Sequence, residues 1–279
     1  MFRSLFLFLL STLLLGSPAY AQQTVYRFSP VNQWDINKTA AYWNPIINYV
    51  SEKSGVKLEL KIGRTSADTT AYVLAQEVEF VFSNHLFSPE REKLGWRVFG
   101  RRQPSEIKAV IVVPADSSIQ TVADLKDKSI AFAGQEAFIG YKVPFAYLLS
   151  KDIKVNPMFG GNQNAAFQQM FSGRADAVGS NSALVDAYAA KEGKKFRVIW
   201  TSESYHDLAL MASSNVKEAD LKKVAKAFFQ MTNDPAGKSI LHEASVQVGM
   251  KQDGYFTPAS QADFANYHRF YETAPVSLR

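Results

Sequence analysis

Residues 131–144 read Ala-Phe-Ala-Gly-Gln-Glu-Ala-Phe-Ile-Gly-Tyr-Lys-Val-Pro. The run starts as a buried strand, turns at Gly134 and enters a helix at about Phe138. In an open α/β sheet the ligand crevice lies beyond the carboxyl ends of the strands, where first-turn N–H groups face it. This loop is therefore expected to form one wall of a ligand-binding cleft.

Outward from that loop, strands and helices alternate from Thr24 to Thr201. Val56, Leu58, Leu60 and Ile62 alternate with polar residues, as a half-buried strand does. Trp43, Ile46, Ile47 and Val50 recur at helical spacing. Pro45 fits either the first turn of a helix capped by Asn44 or a kink in one begun near Thr39. Ile107–Val113 has the composition of a strand buried on both faces. Helices are expected over 66–76 and over 165–171, the second with Asn164 as its N-cap and Gly173 as its C-cap. The chain beyond 201 reads as mainly helical. Such alternation predicts parallel-rich α/β sheets. One pattern occurs twice: a helix runs through Glu79 into Phe80-Val81-Phe82, and another through Asp176 into Ala177-Val178. Two similar lobes are expected.

The chain has 279 residues, 47% hydrophobic and 20% charged, which suits one or two globular domains. Met1-Phe2-Arg3 is a short basic start, Leu5 to Leu15 is nearly all apolar, and Ala19-Tyr20-Ala21 supplies small residues at cleavage positions. Residues 1–21 thus read as a secretory signal peptide. Cysteine is absent, which removes thiolate metal sites and cysteine nucleophiles. Export without cysteine points to a bacterial periplasm. The net charge of +5 is scattered, so no nucleic-acid partner is expected. With no metal-spaced cluster and no G-x-S-x-G elbow, neither a cofactor, a metal nor a catalytic residue is expected.

Several segments, in order, resemble one family, the periplasmic solute-binding proteins of phosphate/phosphite/phosphonate-type ABC transporters. They are Pro45–Ser51, Glu77–Phe82, Asp116–Lys128, Gly140-Tyr141 with Pro144, Gly173–Ala177 and Val198–Ser202. The resemblance implies a two-lobed type II periplasmic binding protein fold with two hinge strands, near Ser105–Val110 and Thr201–Asp207. Lobe one would be 22–106 plus 207–279, and lobe two 107–206. It implies a monomer that holds a small-molecule ligand and docks on a membrane ABC permease, or on a sensor kinase.

In phosphonate-binding members a Ser-Thr-Ser-Gly run wraps the phosphonate oxygens. The matching positions here are Ala137, Phe138, Ile139 and Gly140, so the hydroxyls are gone and the backbone amides remain. The family's Gly-Ser-His-Asp loop reads Gly160-Gly161-Asn162-Gln163-Asn164, and Gln163 and Asn164 are candidate contacts. Asn84 and His85 follow a strand end, as does Asn181. Trp34, in the first strand-to-helix loop, and Tyr205, at the second hinge, are candidate walls. Phe138 is expected to face ligand, so that Phe138→Asp abolishes binding and leaves the melting temperature nearly unchanged. His206 beside Asp207 is a weak acid–base pair without a nucleophile. Two ligand classes stay open: a small oxyanion such as a phosphonate or phosphite, and a neutral or cationic organic solute held by aromatics such as Trp34, Phe138 and Tyr205.

Overall fold

The computed structural model describes residues 24–103 and 106–279; the expected signal peptide lies outside them. The first sheet contains β1 (Val25–Pro30), β2 (Lys57–Leu60), β3 (Phe80–Ser83), β4 (Arg97–Gln103), β10 (Ala209–Ala212) and β11 (Tyr255–Pro258). The second contains β5 (Glu106–Pro114), β6 (Ser129–Phe132), β7 (Asn156–Phe159), β8 (Ala177–Asn181) and β9 (Phe196–His206). The helices are α1 (Ile36–Ser54), α2 (Ser66–Leu74), α3 (Pro89–Glu92), α4 (Val143–Ser150), α5 (Gln163–Phe171), α6 (Ser182–Glu192), α7 (Glu218–Gln230), α8 (Pro235–Val248) and α9 (Ala265–Thr273).

The two sheets repeat one topology. The first runs β11-β4-β10-β3-β1-β2 and the second β7-β6-β8-β5-β9. In each, three parallel strands (β2-β1-β3 and β7-β6-β8) are followed by two antiparallel neighbours (β10-β4 and β5-β9). β11 is an added edge on β4. The acidic residue of the repeated pattern does the same work twice. Glu79 N–H donates to Arg27 O at 3.0 Å, and Arg27 N–H donates back to the Glu79 carboxylate at 2.7 Å. Asp176 N–H donates to Ser129 O at 2.8 Å, and Ser129 N–H donates back to the Asp176 carboxylate at 2.9 Å. Each carboxylate satisfies a strand amide and helps set the register of the parallel pair.

The chain leaves the first sheet after Gln103 and enters the second at Glu106; it returns between His206 and Ala209. β5 and β9 pair antiparallel from Glu106↔His206 onward, so both crossings lie side by side.

α1 is one helix rather than a segment begun at Asn44 or Thr39. Asp35 caps it by accepting from Lys38 N–H at 3.0 Å, Pro45 lies inside it, and Gly55 ends it with φ 65°. Tyr42, Trp43, Ile46, Ile47 and Val50 form its buried face, against Phe28, Phe82 and Phe228. Burying each such side chain is worth roughly 1.5–3 kcal/mol. From Val110 to Val113 the buried β5 residues divide between two apolar clusters, Ile111 and Val113 in one, Val110 and Val112 in the other, as a strand covered on both faces requires.

The C-terminal segment serves both halves. Tyr267 and Tyr271 of α9 pack with Val81 and Phe87 from the first half and with Phe138 and Val143 from the second. Tyr267 Oη–H donates to His206 O at 2.7 Å, beside a crossing, and Leu278 is buried with Ile111 and Phe132 under the second sheet. Residues 265–279 therefore strap the two sheets together.

Candidate functional site

The opening loop behaves as a strand-to-helix turn with one irregularity. Ala137 N–H donates to Gly134 O at 3.1 Å, closing the turn. Phe138–Lys142 then forms a π-helical turn before α4. Tyr141 and Lys142 N–H both donate to Ala137 O, at 2.8 and 3.0 Å, and Val143 N–H reaches Phe138 O. Pro144, at the start of α4, has no N–H for the regular ladder, which favours the wider turn here. The amides of Phe138, Ile139 and Gly140 precede any intrahelical acceptor, and no side chain caps this end. The turn sits close on β8: a Cβ on Gly179 would lie 2.3 Å from the Phe132 ring and 2.7 Å from Gly140 O.

A pocket of about 60 Å³ lies between the sheets against this turn. The structure brings Asn84, His85, Ala137, Phe138, Ile139, Gly140, Gln163 and Asn181 together around it. Asn181 also caps α6, accepting from Ala183 N–H at 2.8 Å through Oδ1, which leaves its amide nitrogen for the pocket. Gln163 donates to Gly179 O at 3.4 Å. His85 is buried, with Nδ1 2.8 Å from Thr70 Oγ1. Burial pushes its imidazole down to about 3, against a partial pull from Glu136, and the Arg91 and Lys142 charges lower it further. It is neutral at pH 7. Every side chain lining the pocket is then uncharged.

Three expected contacts are placed elsewhere. Trp34 turns inward onto Tyr42, 5.2 Å between ring centroids, and borders a second cavity of about 250 Å³ instead. Tyr205 lies in the aromatic cluster behind the pocket, 5.6 Å from the Phe138 ring and 5.4 Å from Tyr267. Asn164 faces a crevice with Lys38 and Tyr188, and the cap of α5 is Asn162, which accepts from Ala165 N–H at 2.9 Å. Phe138 itself is 0% exposed. Its ring centroid lies 4.3 Å from that of Tyr267 and 4.8 Å from that of Phe270, so the side chain is core, while its residue also borders the pocket. An aspartate there would bury an unpaired carboxylate, so the expectation of an unchanged melting temperature is corrected.

The sequence reading missed Ser66, Asn32 and Gln33, which also line the pocket. Ser66 opens α2, and its N–H and Oγ–H both reach Gly161 O across the cleft, at 3.0 and 3.2 Å. Asn32 donates to Gly63 O at 2.8 Å and accepts from Thr69 Oγ–H at 2.5 Å, which orients the loop. A usable signal was present: Asn32 and Gln33 precede Trp34 in the same strand-to-helix loop. Asp207 is held by Arg102. Its carboxylate accepts from Arg102 Nε–H at 2.7 Å, both side chains buried, while Arg102 Nη2–H donates to Gln33 Oε1 at 3.0 Å. Arg101 reaches the His206 ring at 2.9 Å.

Residues 28–264 match the family model described as ABC transporter, phosphonate, periplasmic substrate-binding protein. Curated protein sequences give no match. Among solved structures, a binding-protein component of an ABC phosphonate transporter from Pseudomonas aeruginosa is similar, with TM-score 0.74 and 14% identity over 90% of this chain and 86% of that one. A Prochlorococcus marinus protein in complex with methylphosphonate aligns with TM-score 0.75 and 16% identity, covering 89% and 97% of the two chains. A Xanthomonas citri protein bound to ATP aligns with TM-score 0.68 and 13% identity, covering 89% and 96%. The fold is that of type II periplasmic binding proteins.

Proposed function

The chain belongs to the periplasmic substrate-binding proteins of ABC phosphonate transporters, and we propose that it captures a small oxyanion, of phosphonate or phosphite size, for delivery to a membrane permease. This family and fold are those of transport binding proteins, not of enzymes. One observation carries the ligand reading: the uncapped amides of Phe138, Ile139 and Gly140 meet neutral side-chain donors in one small pocket between the sheets. Hydrogen bonds to a charged group are worth roughly 1.5–3 kcal/mol each, so four of them reach the approximately 8 kcal/mol of a micromolar Kd. The small volume favours a compact head group, and closure of the two halves supplies the trap.

The test is calorimetry with methylphosphonate, phosphite, phosphate and sulfate, beside a panel of neutral amides and polyols. Methylphosphonate is included because the similar Prochlorococcus marinus protein holds it. At least one anion is expected to bind in the micromolar range or tighter, with about a tenfold loss in Asn84→Ala. Binding of neutral solutes with no anion bound would sink the reading.

A further inference from the structure

No ionised side chain lines the pocket, so any formal charge that favours an anion there acts from behind the wall. Three charges stand near that wall. Arg91 and Glu136 pair with each other at 2.6 Å across the two halves, and Arg91 also donates to the carbonyl oxygen of the pocket residue His85 at 2.8 Å. Their charges cancel at a distance. Lys142 is the third, and it closes the same π turn whose first amides border the pocket. It is 6% exposed. Among the described residues no carboxylate lies within 4.0 Å of its ammonium, which sits over the Tyr271 ring, 5.1 Å from centroid to Nζ.

A buried ammonium with no carboxylate in direct contact is costly to a fold, and a methionine of similar length would fill the same space without that cost. The geometry points to Lys142 as the counter-charge of the pocket: it selects anions through space, from behind the Phe138–Gly140 turn, without touching them. This rests on the oxyanion reading of the same pocket. The buried His85 ring feels Glu136, Arg91 and Lys142 together, which places all three within electrostatic reach of the wall. Glu136 and Arg91 are likewise the charged groups that act on Lys142. Inside a protein such a field is far less screened than at the surface.

The test compares wild type with Lys142→Met and Lys142→Arg by calorimetry and thermal melting at pH 8. The probes are methylphosphonate, largely a dianion, and its monomethyl ester, a monoanion. Lys142→Met is expected to bind the ester on the order of tenfold more weakly, and the dianion with about twice that loss on a logarithmic scale, since Coulomb energy scales with ligand charge. Its melting temperature is expected to stay level or rise. Lys142→Arg is expected to keep affinity within about threefold, because its charge is retained. Equal losses on both probes with a lower melting temperature would assign Lys142 a packing role and overturn the inference; so would unchanged affinity. If the ester is too bulky to bind, the opposed signs of affinity and stability on methylphosphonate decide. If wild type binds no oxyanion at all, the functional reading fails first and the inference falls with it.

Discussion

The crossovers β1–α1 and β6–α4 occupy equivalent places in the two sheets, and they end differently. α1 starts as a regular helix with one first-turn amide, that of Lys38, answered by the Asp35 side chain. The helix after β6 starts as a π turn with no side-chain cap. The neighbouring strands differ in step. Counting from Glu79 and Asp176, the third residue on is Phe82 in the first sheet and Gly179 in the second. Phe82 fills the core beside Trp43, whereas Gly179 lets the carbonyl of Gly140 approach. One half therefore spends this position on packing and the other on bringing unsatisfied backbone amides to a pocket. Duplicate topology does not mean duplicate chemistry; the uncapped end is where we propose that ligand is held.

Four experiments would break or sharpen that contrast. The largest effect is expected from Phe138→Ala, which empties the ring contacts with Tyr267, Phe270 and Tyr271. Loss of a buried Phe costs about 3–5 kcal/mol, read as a lower denaturation midpoint with an unchanged slope. A loss below about 1 kcal/mol would return Phe138 to the pocket wall. Gly179→Ala comes next: overpacking is expected to cost about 1–3 kcal/mol and to abolish binding by displacing the π turn. Retained affinity would show that the turn is not needed in this position.

The third effect is pH-dependent. The ordinary value for histidine is about 6.5, and burial holds His85 down at about 3. Between those values the unfolded chain carries the proton and the folded chain does not. Stability is therefore expected to fall as pH drops from about 6.5 toward 3, by up to roughly 1.4 kcal/mol per pH unit. Melting curves of wild type and His85→Gln check this, since the variant's slope should be shallower; identical slopes would clear His85 of the role. The smallest effect belongs to Asp35→Ala, a cap loss of about 1 kcal/mol that should leave affinity untouched. An affinity change there would mean that the two crossovers are not functionally distinct.

Much of the fold was legible because it is local. Alternating apolar residues at Val56–Ile62 and the helical spacing through Val50 need only neighbours in the chain to be read, and the twin acidic residues Glu79 and Asp176 mark equivalent strand starts. Much of the pocket was legible for a related reason: Asn84, His85, Gln163 and Asn181 follow strand ends or open helices, and such positions face the crevice in this kind of sheet. The misplacements share a different cause. Trp34 and Tyr205 are aromatic, and an aromatic ring in a loop fits a binding wall and a core equally well until its partners are known. Those partners are Tyr42 for the first, and Phe138 with Tyr267 for the second. Asn164 lost the cap of α5 to Asn162 through a two-residue shift, the scale on which helix boundaries are least certain.

By itself the sequence determined the α/β alternation, the duplicated strand starts and the turn at 131–144, because periodicity, turn residues and backbone amides act over a few residues. The tertiary structure alone decided what that turn presents. α9, more than 120 residues later in the chain, takes the Phe138 ring and the face of Lys142, and leaves the amides to the pocket. Burial, ring contacts and the balance of Lys142 against Arg91 and Glu136 are sums over distant segments, and no local pattern encodes them.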